Sequence, residues 1–425
     1  LMDVVVTAYN GVSKMLDELG PDGGWQEGRG YWSYGLGQST WFMDAVKQFS
    51  DGQYNLFQHK RLKDNPTDFA LYTLPANFGD GRAGPVGNSS FINKLVSETG
   101  DQTAAWYSEE FIRQGATLYD LIWPSPNIEG VEPGVKSKHF SGIDWAVMRS
   151  SFKPSPSFTI ACKAGLNDDP HHGHLDCGHF KLDFDGASLI RDLGGAKYDD
   201  YYFSAERWDY IEASSKGHNV IFVNGEEQIS AKLKDQAWKE GVGGKIEEFS
   251  TSEKMDRLVM TGLQNAYPGV EMSLWQRELI LHKPSLLVVS DLVGSETGAE
   301  IRSRIHPGGD FTLHDGYYTL ETRGKRVAVV PFSEQELNLE AGRDGSITVN
   351  EDVDFEWIPH VDCVVKSAGK STLCGYIIFP VQADADAKGV IQSMELDPTG
   401  NGEISLSFKL TQESYKIALQ GEPIN

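Results

Sequence analysis

His171-His172-Gly173-His174-Leu175-Asp176-Cys177-Gly178-His179-Phe180-Lys181-Leu182-Asp183-Phe184-Asp185-Gly186 divides into two parts. From Phe180 to Phe184 apolar and polar residues alternate. Alternation of period two marks a strand with one buried face, and the Asp-Gly that follows is a turn signal. The half before it places four of the chain's eleven histidines in nine residues. Imidazole serves both metal ligation and proton transfer near neutral pH, and packing alone seldom requires such a density of it.

Strand-like runs recur on the C-terminal side of this stretch and shortly before it. They are Ala146–Phe152, Phe158–Cys162, Asn219–Val223, Leu258–Gly262, Leu279–His282, Leu286–Ser290, Val327–Pro331 and Tyr376–Pro380. Asn224-Gly225, Asp315-Gly316 and Asn401-Gly402 punctuate them as turns. Short strands at regular spacing predict a large antiparallel β-sandwich. No helix-period segment of useful length is read after residue 135. The texture before Pro124–Gly134, a Pro- and Gly-rich linker, is helical. Val5, Ala8, Val12, Met15, Leu16 and Leu19 are spaced as one helix face, which Gly20-Pro21 closes. Further helices are read over Thr40–Phe49, Ser90–Leu95 and Thr103–Gln114. Three regions follow: 1–135 helical, 136–345 sandwich, and 346–425 either its remaining strands or a small C-terminal β domain.

Composition narrows the function. The formal net charge of −23 disfavours nucleic acid and anionic membranes as partners. No apolar run is long enough for a membrane span. The opening Leu1-Met-Asp-Val-Val-Val lacks the regions of a signal peptide and reads like the middle of a helix, so a processed or truncated chain is expected. Cys162, Cys177, Cys363 and Cys374 form no CxxC pair. Cys363 and Cys374 flank a predicted hairpin, and the residues leave both a disulfide and a reduced buried pair open.

Three constellations carry chemistry. His172, His174 and, near the ends of later apolar runs, Asp192 and His218 are the candidates from which the two histidines and one carboxylate of a zinc site can be drawn. Tyr198, Tyr201, Tyr202 and Tyr210 lie between Asp192 and His218, and a tyrosine becomes a base only where its phenolate is stabilised. Trp25, Tyr31, Trp32, Tyr34 and Trp41 cluster with Glu27 and Arg29. Such rings stack on the apolar faces of sugars while the charged groups meet hydroxyls.

The combination of His172-Gly-His174-Leu-Asp176, Phe180, Gly186, Asp192-Leu-Gly and His218-Asn-Val with Val223-Asn-Gly resembles the heparinase II/III-like polysaccharide lyases. Trp145-Ala-Val-Met-Arg149-Ser and Asp22-Gly-Gly-Trp-Gln-Glu27-Gly-Arg-Gly-Tyr31-Trp fit the same pattern, so the resemblance runs from residue 1 to about 310. It implies a partial α/α toroid followed by a large antiparallel β-sandwich. Residues 1–135 are too few for a whole toroid, which implies further toroid helices on a segment outside this chain.

The implied reaction is β-elimination on a uronate-containing polysaccharide or oligosaccharide of alginate or glycosaminoglycan type. A base removes the C5 proton, an acid protonates the departing oxygen, and a positioned group neutralises the carboxylate. By the same resemblance His172 is the catalytic histidine. Tyr202, with Tyr210 as a rival, is the catalytic tyrosine, and Glu27 is an active-site carboxylate. Trp25, Arg29, Tyr31, Asn77 and Arg82 contact substrate. His174, Asp192 and His218 hold a structural zinc, and His171 and His179 receive no role. A periplasmic or secreted location is implied.

Gly24, Trp25 and Gln26 stand where some relatives carry a histidine or asparagine, and Asn77–Arg82 contains no tyrosine where many relatives supply one. These departures motivate a second reading, a non-catalytic carbohydrate-binding member. A third is a glycoside hydrolase using Glu27 and Asp80, which would need the two carboxylates about 5–10 Å apart. The acidic net charge is compatible with an anionic substrate, because charges beyond a Debye length of about 8 Å are screened. Arg29, Lys60, Arg61, Lys63 and Arg82 are read as a local positive strip.

Overall fold

In a computed structural model of the chain, residues 2–64, 66–86, 90–112, 118–169, 171–231, 240–349, 353–367, 370–382, 384–399 and 403–419 are described. The turn expected at Asn401-Gly402 lies outside them. The chain folds as two compact units, Leu1–Ala146 and Val147–Asn425. The division falls inside the strand Trp145–Arg149 because Phe140 and Trp145 pack on Phe69 of the helical unit, at ring distances of 5.2 and 5.9 Å.

The first unit is helical. Met2–Glu18, Gly28–Phe49, Ser90–Thr99 and Gln102–Phe111 are its longer helices. In Gly28–Phe49 the buried residues Trp32, Leu36, Thr40 and Met43 recur at helical spacing. The Trp32 ring meets Phe69 and Phe91. This helix begins twelve residues before the Thr40 start read from the pattern. Its early glycines lower helix propensity and hid it, and burial of Trp32 outweighs that cost.

The second unit is built from antiparallel sheets. One orders nine strands, with Leu286–Ser295 between Leu274–His282 and Lys370–Pro380. All ten residues of Leu286–Ser295 are buried, as in a strand covered on both faces. Another sheet holds the long hairpin Leu337–Val349 and Val353–Ser367, followed by Ala299–Ile305 and Ile221–Val223. The His179–Phe184 strand pairs with Phe158–Lys163 on one side and with Ala187–Ile190 on the other. Asp185 and Gly186 both adopt positive φ between the last two, which is the tight hairpin turn that Asp-Gly favours.

The C-terminal segment differs from its reading in two ways. Asp384–Ser393 is a helix, although none was read after residue 135. It is short, and Ala387 and Val390 suffice to bury its face in a core shared with Val288, Val330, Ile377, Leu406 and Ile417. Val353–Ser367 and Lys370–Pro380 belong to different sheets, so they form no hairpin. Cys363 and Cys374 are buried free thiols; burial pushes Cys363 up to about 12 and Cys374 well above its ordinary value.

Candidate active site and metal centre

The histidine-rich segment runs as an irregular loop into the His179–Phe184 strand. Four anchors hold it. Arg207 donates from Nε and Nη2 to the Gly173 carbonyl, and Leu175 N–H donates to Ala213 O. Ser215 Oγ donates to Leu175 O. Gln228 both accepts from Cys177 N–H and donates to Cys177 O. Gly178 closes the loop at φ +88, and a Cβ there would stand 2.7 Å from the Trp275 ring.

A second brace lies beneath. Arg277 and Asp291 are directly opposed in neighbouring strands, fully buried, and paired through Nε–Oδ1 at 2.7 Å and Nη2–Oδ2 at 2.8 Å. Arg277 Nη1 also donates to Gly178 O at 2.8 Å and Asn219 O at 2.7 Å. One guanidinium therefore ties the segment carrying His179 and the segment carrying His218 to the central sheet. The signal for this pair was present: a lone acid in Leu286–Ser295 and a lone arginine in Leu274–Leu279 face each other only in this register.

Around Asp192 the donors converge. Its Oδ1 accepts from Gly194 N–H at 2.6 Å, and its Oδ2 stands 3.1 Å from His218 Nδ1 and 2.9 Å from His179 Nε2. Burial works against ionisation of Asp192. The two imidazoles more than offset it and hold the carboxyl well below the usual carboxylate range. For His179 burial prevails and lowers its basicity; for His218 the Asp192 charge overcomes burial and raises it.

His179, Asp192 and His218 offer ligand atoms within 4.8 Å of one another, all buried, and this group could bind a metal ion. The donor chemistry fits a zinc-like cation. So does His218 Nε2, a buried nitrogen with no hydrogen-bond partner among the described residues. Of the ligands read from sequence, Asp192 and His218 fall in this group. The His174 ring lies 5.1 Å from that of His218, and His174 Nε2 stands 3.3 Å from Tyr202 Oη. His179, which received no role, lies within the group.

Toward solvent the tyrosines separate. Tyr202 is completely buried, and Arg207 stacks 4.1 Å over its ring. Tyr198 stacks on Tyr202 at 5.6 Å, is 44% exposed, and its Oη stands 3.5 Å from His172 Nδ1. Phe203 meets His172 edge-on at 5.9 Å. Tyr210 donates to both Asp199 oxygens at 2.9 and 2.8 Å; burial and that carboxylate raise its phenol above the ordinary value. Tyr198 was not singled out in the sequence; its approach to His172 separates it from Tyr201, which is 60% exposed.

In the helical unit, Trp25 Nε1 donates to Glu27 Oε2 at 2.9 Å, and Tyr31 sits half-buried on the Gly28–Phe49 helix. Asn77 is half-buried and Arg82 exposed in the loop after Leu74. Arg29, read as a substrate contact, is buried. It donates to Thr73 O at 2.6 Å and to Arg82 O. Burial lowers its pKa to about 10. Its guanidinium braces the loop that carries Asn77 and Arg82 and takes no part in the positive strip. Lys60 of that strip pairs with Asp17 at 3.2 Å.

The sequence pattern of the Heparinase II/III-like, C-terminal family matches residues 132–371, more than half of the chain. No curated protein matches the sequence. Among solved structures, the chain is similar to a heparinase III, the BT4657 gene product. The TM-score is 0.68 at 13% identity, covering 97% of this chain and 60% of that one. It is similar to the heparan sulfate lyase HepC from Pedobacter heparinus with a TM-score of 0.67 at 13% identity, covering 96% and 59%. A Paenibacillus xanthan lyase gives 0.51 at 10% identity, covering 90% and 41%. At these identities the likeness is one of fold, and the chain spans about 60% of the length of the heparinase structures.

Proposed function

This chain belongs to the heparinase II/III-like family, and from that premise we propose that it serves a polysaccharide lyase cleaving a uronate-containing glycan by β-elimination. The observation that carries the reading is the half-exposed His172 beside Tyr198, mounted on a buried frame of His174, Tyr202 and Asp192. A solvent-facing imidazole and phenol 3.5 Å apart are a proton-transfer pair.

In this reading the base removes the proton at C5. The electron pair left behind forms the C4=C5 double bond, the C4–O bond breaks, and the departing oxygen takes a proton. His172 and Tyr198 divide the two proton transfers. Tyr202 supports Tyr198 by stacking and links it to His174. Within the helical unit, taken by itself, Trp25 and Tyr31 are the proposed rings for sugar faces, Asn77 and Arg82 the proposed partners of acidic groups, and Glu27 that of hydroxyls.

We assign the metal to Asp192, His218 and His174, with zinc as the ion that suits two imidazoles and a carboxylate. A metal held there supplies rigidity to the segment that carries His172. The substrate class is an anionic polysaccharide. The family resemblance points to action in the periplasm or outside the cell. Among the described residues no helix is long and apolar enough to span a membrane. The helical unit is read as the C-terminal arc of a toroid.

Digestion of heparan sulfate, hyaluronan, chondroitin and alginate in ¹⁸O-water separates the readings. A lyase yields unsaturated products without ¹⁸O, whereas a hydrolase places ¹⁸O in every new reducing end. Tight oligosaccharide binding with no product selects the carbohydrate-binding reading.

A further inference from the structure

Asn219 is a fully buried hub beside the Asp192 centre. Its side-chain amide donates to Phe180 O at 2.8 Å and Arg191 O at 2.9 Å, and its carbonyl accepts from His306 N–H at 2.7 Å. Its own backbone N–H donates to His179 Nδ1 at 2.8 Å. A nitrogen that accepts a hydrogen bond carries a lone pair and no proton. With Nδ1 accepting and therefore unprotonated, the ring's single proton resides on the other nitrogen, Nε2. That nitrogen faces Asp192 Oδ2 at 2.9 Å. A neutral imidazole whose Nδ1 is occupied by an amide N–H, and whose Nε2 bears the proton, has no lone pair left for a metal.

We propose that His179 is a positioning residue for Asp192 and not a metal ligand: the Asn219 amide fixes it as the Nε2–H tautomer, which donates to the Asp192 carboxylate. Proximity alone would count His179 among the ligands, since its nitrogen lies as close to Asp192 as that of His218. The hydrogen on the Asn219 amide distinguishes the two rings. His218 presents Nδ1 to the same oxygen but, among the described residues, has no hydrogen-bond partner on Nε2. The assignment sharpens the metal reading above and rests on it for what Asp192 is positioned to do. Partners of this kind orient a ligand, and their loss weakens metal affinity by about 10–100-fold without abolishing it.

Two measurements test this. Long-range ¹H–¹⁵N spectra of histidine-labelled protein, recorded before and after addition of one equivalent of zinc, report which His179 nitrogen carries the proton. We expect a protonated Nε2 and a bare Nδ1 in both states. A protonated Nδ1 in the zinc-loaded protein, or an Nε2 signal shifted to metal-bound values, overturns the proposal. Zinc affinity by chelator competition is then compared among wild type, His179→Gln and His179→Phe. Glutamine can accept from Asn219 and donate to Asp192, but it is a poor zinc ligand. A positioning role predicts binding within a few-fold of wild type for His179→Gln and a loss of about 10–100-fold for His179→Phe. Equal, near-complete loss in both would make His179 a ligand. If wild-type protein takes up no zinc, the metal reading fails. The tautomer measured in the metal-free protein then decides the role of His179 by itself, as it does if the variants fail to fold.

Discussion

Tyr198 and Tyr202 stack on each other, yet only Tyr198 reaches solvent. Removing its hydroxyl in Tyr198→Phe keeps the stack and deletes one proton-transfer group. Initial rates should fall about 100-fold or more with KM little changed. Tyr210→Phe should stay within a few-fold of wild type, because its hydroxyl is committed to Asp199. A large loss in Tyr210→Phe with none in Tyr198→Phe would reverse the assignment. At this scale the histidine cluster was legible, since four imidazoles within nine residues demand an explanation. The choice among tyrosines was not, because burial is set by chain segments far apart in sequence. Arg29 misled for the same reason. Its place among aromatics suggested sugar contact, whereas the carbonyls of Thr73 and Arg82 enclose it.

The helices Gly28–Phe49 and Ser90–Thr99 are joined by a charge network. Lys94 Nζ lies 2.8 Å from Asp44 and 2.7 Å from Glu98, and Lys47 reaches Glu98 at 2.5 Å. Burial would lower the Lys94 pKa, but the two carboxylates raise it above its usual value; burial would raise Asp44, but Lys94 and Trp123 lower it. The signs fix the pH window. Lys94 contributes stability that is complete below about pH 10.5 and lost as pH rises through its raised value. Asp44 contributes above about pH 3.8 and is lost as pH falls through its lowered value. Lys94→Met strands two carboxylates and should cost about 3 kcal/mol in denaturant unfolding of the helical unit. It should also flatten the alkaline decline seen in wild type, and an unchanged alkaline limb would remove the network from the stability of this unit. The sequence pattern showed Ser90–Leu95 and only the Thr40–Phe49 part of the first helix, and not this bridge, which joins residues about fifty apart. The Asp384–Ser393 helix escaped because so short a segment carries little periodic signal.

At the scale of the whole chain, the change from helical to strand-like texture was plain in the sequence, and the fold likeness to heparinase structures extends over 97% of its length. The sheet order was not plain. Lys370–Pro380 inserts between Leu286–Ser295 and Lys325–Ser333, a long-range pairing that no local pattern encodes. The Arg277–Asp291 pair illustrates how the two scales meet, since only that order buries both charges against the loops of the site. The central claim concerns chemistry, and ultraviolet absorbance tests it most directly, because β-elimination creates a double bond conjugated with the uronate carboxylate. With heparan sulfate, hyaluronan, chondroitin or alginate as substrate, wild-type protein should give a steady rise on at least one, and His172→Ala should abolish it while remaining folded. No rise on any of these polymers, or a rise undiminished in His172→Ala, would contradict the account.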